Sequence, residues 1–141
     1  MTLINRFAVF AVGVALTAAG TTAAADVVAV VSAKSAVSIL SKSQMADIFL
    51  GRVSRFPNGL PAVPIDQAEG SAAREEFYAR LAGKSAAQMK AYWSKIIFTG
   101  RGQPPKEVSD GVGMKRRIAE DPAAIGYIDQ SLVDDSVRVV R

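Results

Sequence analysis

The hydrophobic pattern changes period several times along the chain, and each change marks an element. Val27–Ser32 (VVAVVS) is β-branched and almost wholly apolar, the pattern of a strand buried on both faces. Ser41 and Gln44 form a capping box ahead of Met45, Ile48 and Phe49, which predicts a short helix closed by Gly51. Residues 52–61 (RVSRFPNGLP) carry turn formers, with Asn58-Gly59 set between Pro57 and Pro61. Residues 62–66 (AVPID) read as a second strand, and Pro64 argues for a strand end or an edge.

A helix is expected from Gly70-Ser71 through Leu81, where Ala73, Phe77 and Leu81 recur at i, i+4, i+8, and Gly83 ends it. Ser85 and Gln88 form another capping box. Over 86–98, Ala86, Met89, Trp93, Ile96 and Ile97 then share one face, the clearest amphipathic pattern in the chain. Residues 99–105 (TGRGQPP) read as a loop. A weaker helix is expected around 108–119, with Gly111 and Gly113 against it. Ala124–Asp129 (AIGYID) and residues 137–140 (VRVV) read as strands. The order β-α-β-α-α-α-β-β predicts an α/β layer structure, a central mostly parallel sheet flanked by helices. With no internal repeat and no linker, residues 26–141 are expected to be a single domain.

Residues 1–25 read differently. Arg6 supplies a positive start, residues 7–20 (FAVFAVGVALTAAG) are an apolar run, and residues 21–25 (TTAAA) offer small side chains for cleavage after Ala25. The alternative is an uncleaved anchor, but the run falls short of the ~20 residues that a spanning helix needs. A signal peptide is expected, and with it a periplasmic or secreted protein. No later apolar run is long enough to span a bilayer.

Composition narrows the chemistry. The 141 residues include no cysteine and no histidine. That excludes a thiolate nucleophile, a zinc finger, a disulfide framework and an imidazole base. The net charge of +4 is mild, and apart from Lys115-Arg116-Arg117 the cations are mixed with acids, so no nucleic-acid binding is expected. Asp134-Asp135 lacks companions for a metal cage, and no cofactor is implied. Nothing assembles a nucleophile with a base and an oxyanion hole, so the chain is not expected to be an enzyme.

The strongest candidate site is the strand-to-helix junction 65–77 (IDQAEGSAAREEF). Gly70 allows close backbone approach, Ser71 adds a hydroxyl, and free amides at a helix start attract phosphate or carboxylate. Arg74, one turn in, offers a forked cation. Equally, Ser71 could be an N-cap alone and Arg74 a surface partner of Asp66, Glu75 or Glu76. The loop around Arg101 is a second candidate, because two flanking glycines permit a ligand or partner to approach; its alternative is a rigid connection closed by two prolines. Tyr92, Trp93 and Phe98 sit at helical spacing with aliphatics and read as core. Tyr127 has two options, core or cleft. Glu76 and Arg80 read as an i, i+4 pair.

Four segments add a family resemblance: 41–59 (SKSQMADIFLGRVSRFPNG), 63–81 (VPIDQAEGSAAREEFYARL), 92–105 (YWSKIIFTGRGQPP) and 121–129 (DPAAIGYID). In order, they resemble the phosphate-type periplasmic substrate-binding proteins of ABC transporters. The resemblance implies a single type II periplasmic-binding-protein lobe, matching the second of the two lobes that close on an oxyanion in full-length relatives. Where those proteins hold phosphate with Arg-x-Asp-Gly-Ser-Gly-Thr, residues 67–73 read QAEGSAA. Gly70 and Ser71 are kept, Glu69 replaces the acid, Gln67 stands for the cation and Ala73 for the threonine. The implied ligand set is therefore Gln67, Glu69, Gly70, Ser71 and Arg74, with Arg101 added from the loop reading. The implied function is binding of phosphate or a similar small oxyanion, linked to ABC transport. The implied partners are a second copy, an ABC permease or another envelope protein. The alternative is a non-transport interaction module that keeps the lobe as a scaffold and docks an envelope protein through Arg101, Phe56 and Tyr127.

Overall fold

The computed structural model describes residues 26–141. The signal-peptide reading of residues 1–25 lies outside the described residues.

β1 (Val27–Ser32) is followed by α1 (Lys42–Phe49), β2 (Val63–Gln67), α2 (Ala72–Ala82), α3 (Ala86–Phe98), β3 (Lys106–Val108), α4 (Gly111–Glu120), β4 (Ala124–Asp129) and β5 (Val137–Val139). Local chemistry sets the helix ends. Ser41 and Ser85 each accept from the amide of the third helical residue, whose glutamine side chain bonds back to the serine amide, so both capping boxes are closed. Gly83 ends α2 in a left-handed conformation (φ 62°), which a glycine adopts without steric cost.

Among the described residues, five strands form one sheet in the order β3-β2-β4-β1-β5. β2 runs parallel to both β3 and β4, while β1 runs antiparallel to β4 and to β5. Four strands therefore share one direction and β1 alone opposes them, so the sheet is mostly parallel, as expected. One element was not foreseen. The helix expected around 108–119 is α4, and ahead of it Lys106–Val108 form a short strand, β3, where no strand was expected.

Helices cover both faces of the sheet. Alternation along β4 sends Gly126 towards α4 and Tyr127 towards the other face. A Cβ at Gly126 would collide with Met114 Sδ and lie 3.0 Å from Ile118 Cδ1, so the glycine is what lets α4 seat on the sheet. On the opposite face Phe49 of α1 and Phe77 and Tyr78 of α2 surround Tyr127. The Phe77 and Tyr127 rings stack at 4.0 Å, and Phe49 meets Phe77 edge-on at 4.8 Å. This places Tyr127 in the core, and Phe56 is buried as well. Neither can dock a partner, which corrects that part of the interaction-module expectation.

Candidate functional site at the start of α2

β2 ends beside β3, where the Ala68 amide donates to Val108 O at 3.0 Å. The chain then turns through Gly70, whose φ of 88° suits glycine, and enters α2 at Ser71. Ser71 is the N-cap: its Oγ accepts from the Arg74 amide at 3.1 Å, and its carbonyl accepts from the Glu75 amide. Four amides open every α-helix without an internal partner. Here the Ser71 amide donates to Ala68 O at 3.1 Å and the Arg74 amide to Ser71 Oγ, and those of Ala72 and Ala73 have no protein acceptor among the described residues. Gly70 and Ala72 are exposed, and Ser71 and Ala73 half-buried, so this start is open to solvent. The Ser71 hydroxyl still has its own proton to donate.

Directly behind this start lies a closed polar network. Asp66 is only 1% exposed. Its Oδ1 accepts from the Tyr127 hydroxyl and, at 3.0 Å, from the Gln67 amide; its Oδ2 accepts from the Tyr78 hydroxyl at 2.8 Å. Burial pushes the Asp66 carboxyl above its ordinary range, against the pull of these bonds and of Arg74. Burial, and then the neighbouring Asp66, push both tyrosines up, so they stay protonated donors. Arg74 Nε lies 3.6 Å from Asp66 Oδ2, and its NH1 donates to Glu107 at 2.9 Å and to Gln67 O at 3.3 Å. Burial works against the Arg74 charge, but Asp66, Tyr78 and Glu107 outweigh it and hold the guanidinium above its usual value.

The expected residues thus separate into groups. Gly70, Ser71 and Arg74 converge at the helix start. Gln67 is 3% exposed and turns inward, its Nε2 donating to Tyr127 O at 3.0 Å. Glu69 stays exposed, with Lys90 at 3.8 Å. Arg101 lies in a separate hollow lined by Gly51, Arg52 and Gln103. Arg74 does pair with Asp66, but the pair is interior: the Arg74 side chain is 14% exposed. Sequence reasoning missed Tyr78 and Glu107. An aspartate closing an otherwise apolar strand was the available signal for a buried network. Glu107 had none, because it comes from the unforeseen β3.

No protein-family model matches the sequence, and no curated protein does. Solved structures do. A Clostridium perfringens protein assigned as a phosphate ABC transporter substrate-binding protein, solved with phosphate bound, matches at 24% identity and a TM-score of 0.64. The match covers 82% of this chain and 44% of that one. An ABC-type phosphate transport receptor of Vibrio cholerae matches at 18% identity and 0.64, over 82% and 45%. PstS of Borrelia burgdorferi matches at 13% and 0.57, over 81% and 46%. The chain has the fold of these phosphate-type substrate-binding proteins. It spans less than half the length of each, so the shared fold is that of one part of a larger binding protein. At these identities the match speaks for the backbone architecture, and what the site binds is argued next.

Proposed function

We propose that the chain is a non-enzymatic binding lobe that takes phosphate or a similar small oxyanion at the start of α2. One observation carries the reading: among the described residues the Ala72 and Ala73 amides and the Ser71 hydroxyl have no protein acceptor, at the solvent-open end of an 11-residue helix. Those donors and the helix dipole favour an anion there. The fold adds support, since a structure that shares it was solved with phosphate bound. Gly70 lets the anion approach the backbone, and Gln67 acts from below by fixing the end of β2. Arg74 adds little net charge because Asp66 and Glu107 already oppose it, and Glu69 repels. Binding is therefore weak, with Kd around millimolar, roughly 4 kcal/mol.

On this reading residues 26–141 form a single lobe, delivered to the periplasm by a signal peptide at residues 1–25. A lone lobe leaves its ligand half in water, so a second copy, an ABC permease or another envelope protein supplies the facing wall. Among the described residues no helix is long and apolar enough to cross a membrane. Titration calorimetry with phosphate and sulfate, beside thermal-shift measurements, tests the proposal. Saturable heat and a raised Tm at millimolar anion support it; neither signal from either anion overturns it.

A second reading has its own observation. Phe98, expected in the core, is 93% exposed at the end of α3, next to a half-exposed Ile97 and close in sequence to Arg101. If the lobe is a scaffold for an envelope protein, Phe98 and Arg101 carry the contact. Phe98→Ala and Arg101→Ala then lose a cross-linked partner that Ser71→Ala keeps.

A further inference from the structure

The two flanks of α3 carry different charge. The hollow towards α2 sets Glu69, Glu75 and Glu107 against Arg74 and Lys90. The other flank opens on a groove of about 630 Å³ to which α2 contributes nothing, within the size range of small-molecule sites. Tyr92, Lys95 and Ile96 share that face of α3 at i, i+3, i+4. The turn after α1 brings Arg52 and Val53, β2 brings Pro64, and the loop after α3 brings Arg101. Gly100, at φ 67°, folds that loop back, so that the Arg101 amide donates to Ile96 O at 3.1 Å.

Two properties of this groove are left unanswered by the protein. The first is charge. Arg52, Lys95 and Arg101 line the groove, and no aspartate or glutamate does. Arg52 has Asp47 at 3.3 Å, from outside the lining. Lys95 and Arg101 are exposed and have no ion-pair partner among the described residues. The negative pole of the α3 dipole amounts to about half a charge, too little to offset both. The second is apolar surface. Val53 is exposed, and Pro64, Tyr92 and Ile96 are only half-buried, so hydrocarbon stays in contact with water. An inorganic anion would answer the first alone and a neutral hydrocarbon the second alone. A molecule with an anionic head on a hydrocarbon body answers both.

We propose that this groove takes a free monocarboxylate with a short hydrocarbon chain, of the medium-chain fatty acid type. The carboxylate meets Lys95 and Arg101, and the chain lies on Val53, Pro64 and Ile96. The site is separate from the start of α2 and does not rest on the oxyanion reading.

The test titrates the protein with octanoate, 1-octanol and octylammonium, which share a chain and differ in head charge, and follows calorimetric heat. Octanoate is expected to bind saturably and about fivefold more tightly than octanol, the size of two exposed ion pairs, with octylammonium weakest. The double variant Lys95→Gln, Arg101→Gln changes only exposed positions. It is expected to keep its Tm and to bring octanoate down to the level of octanol. Saturating phosphate is expected to leave octanoate affinity unchanged. No saturable octanoate heat, equal or tighter binding of octanol or octylammonium, or an advantage that survives the double variant overturns the inference. If phosphate displaces octanoate, the carboxylate sits at the start of α2, so the oxyanion reading stands and this one falls. If octanoate binds as expected while phosphate and sulfate give neither heat nor a Tm shift, this inference stands and the oxyanion reading falls.

Discussion

Asp66 and Ser71 stand one turn of chain apart and treat their polar groups in opposite ways. At Asp66 the carboxylate, two tyrosine hydroxyls and the Gln67 amide and side chain all find partners inside the protein. At Ser71 the backbone opens to water, and the Ala72 and Ala73 amides find none among the described residues. Groups that satisfy one another internally build the fold; those left over are what a ligand can use. Arg74 sits on the boundary, and its two carboxylate partners draw it to the structural side.

The comparison breaks most visibly on the buried side. Phe77→Ala removes the ring stacked on Tyr127 and is expected to lose about 3–5 kcal/mol in a urea melt. A loss below 1 kcal/mol would mean that the aromatic cluster does not hold α2 to the sheet.

How much of this the sequence foretold depends on range. Capping boxes act over three residues, so Ser41 with Gln44 and Ser85 with Gln88 were legible, and α3 begins and ends where its pattern predicts. β4 was legible from its apolar run. β3 was not: Lys106 and Glu107 are charged and exposed, and only backbone pairing with β2 makes them a strand. The candidate site divides along the same line. Gly70 and Ser71 announce a helix start locally, whereas the contact between Asp66 and Tyr127 joins residues far apart in sequence and no local pattern shows it. The Arg74–Asp66 pair was anticipated, but its burial was not, because that depends on α2 packing across β2.

Smaller substitutions sharpen the contrast. Tyr127→Phe deletes one donor to a buried carboxylate and is expected to cost about 1–3 kcal/mol by chemical denaturation. Ser71→Ala, which removes only a cap at an exposed helix start, should cost about 1 kcal/mol by the same method. A subtler difference is in pH. Because burial raises the Asp66 pKa in the folded state, its protonated form suits the fold. Its contribution is therefore full below about pH 4 and is lost as pH rises through the raised value. Asp66→Asn cannot titrate. Between pH 4 and 7 the wild type should lose Tm relative to this variant; parallel Tm curves would contradict the assigned direction.

The central claim is that the open start of α2 holds an oxyanion, and Ser71→Asp tests it most directly. Aspartate caps a helix as well as serine does, so the fold should keep its Tm, while a carboxylate now occupies the space the anion would take. Calorimetry is expected to show saturable phosphate binding by the wild type at millimolar concentration and none by the variant. Phosphate heat that is the same in both proteins would place the anion elsewhere and contradict the account.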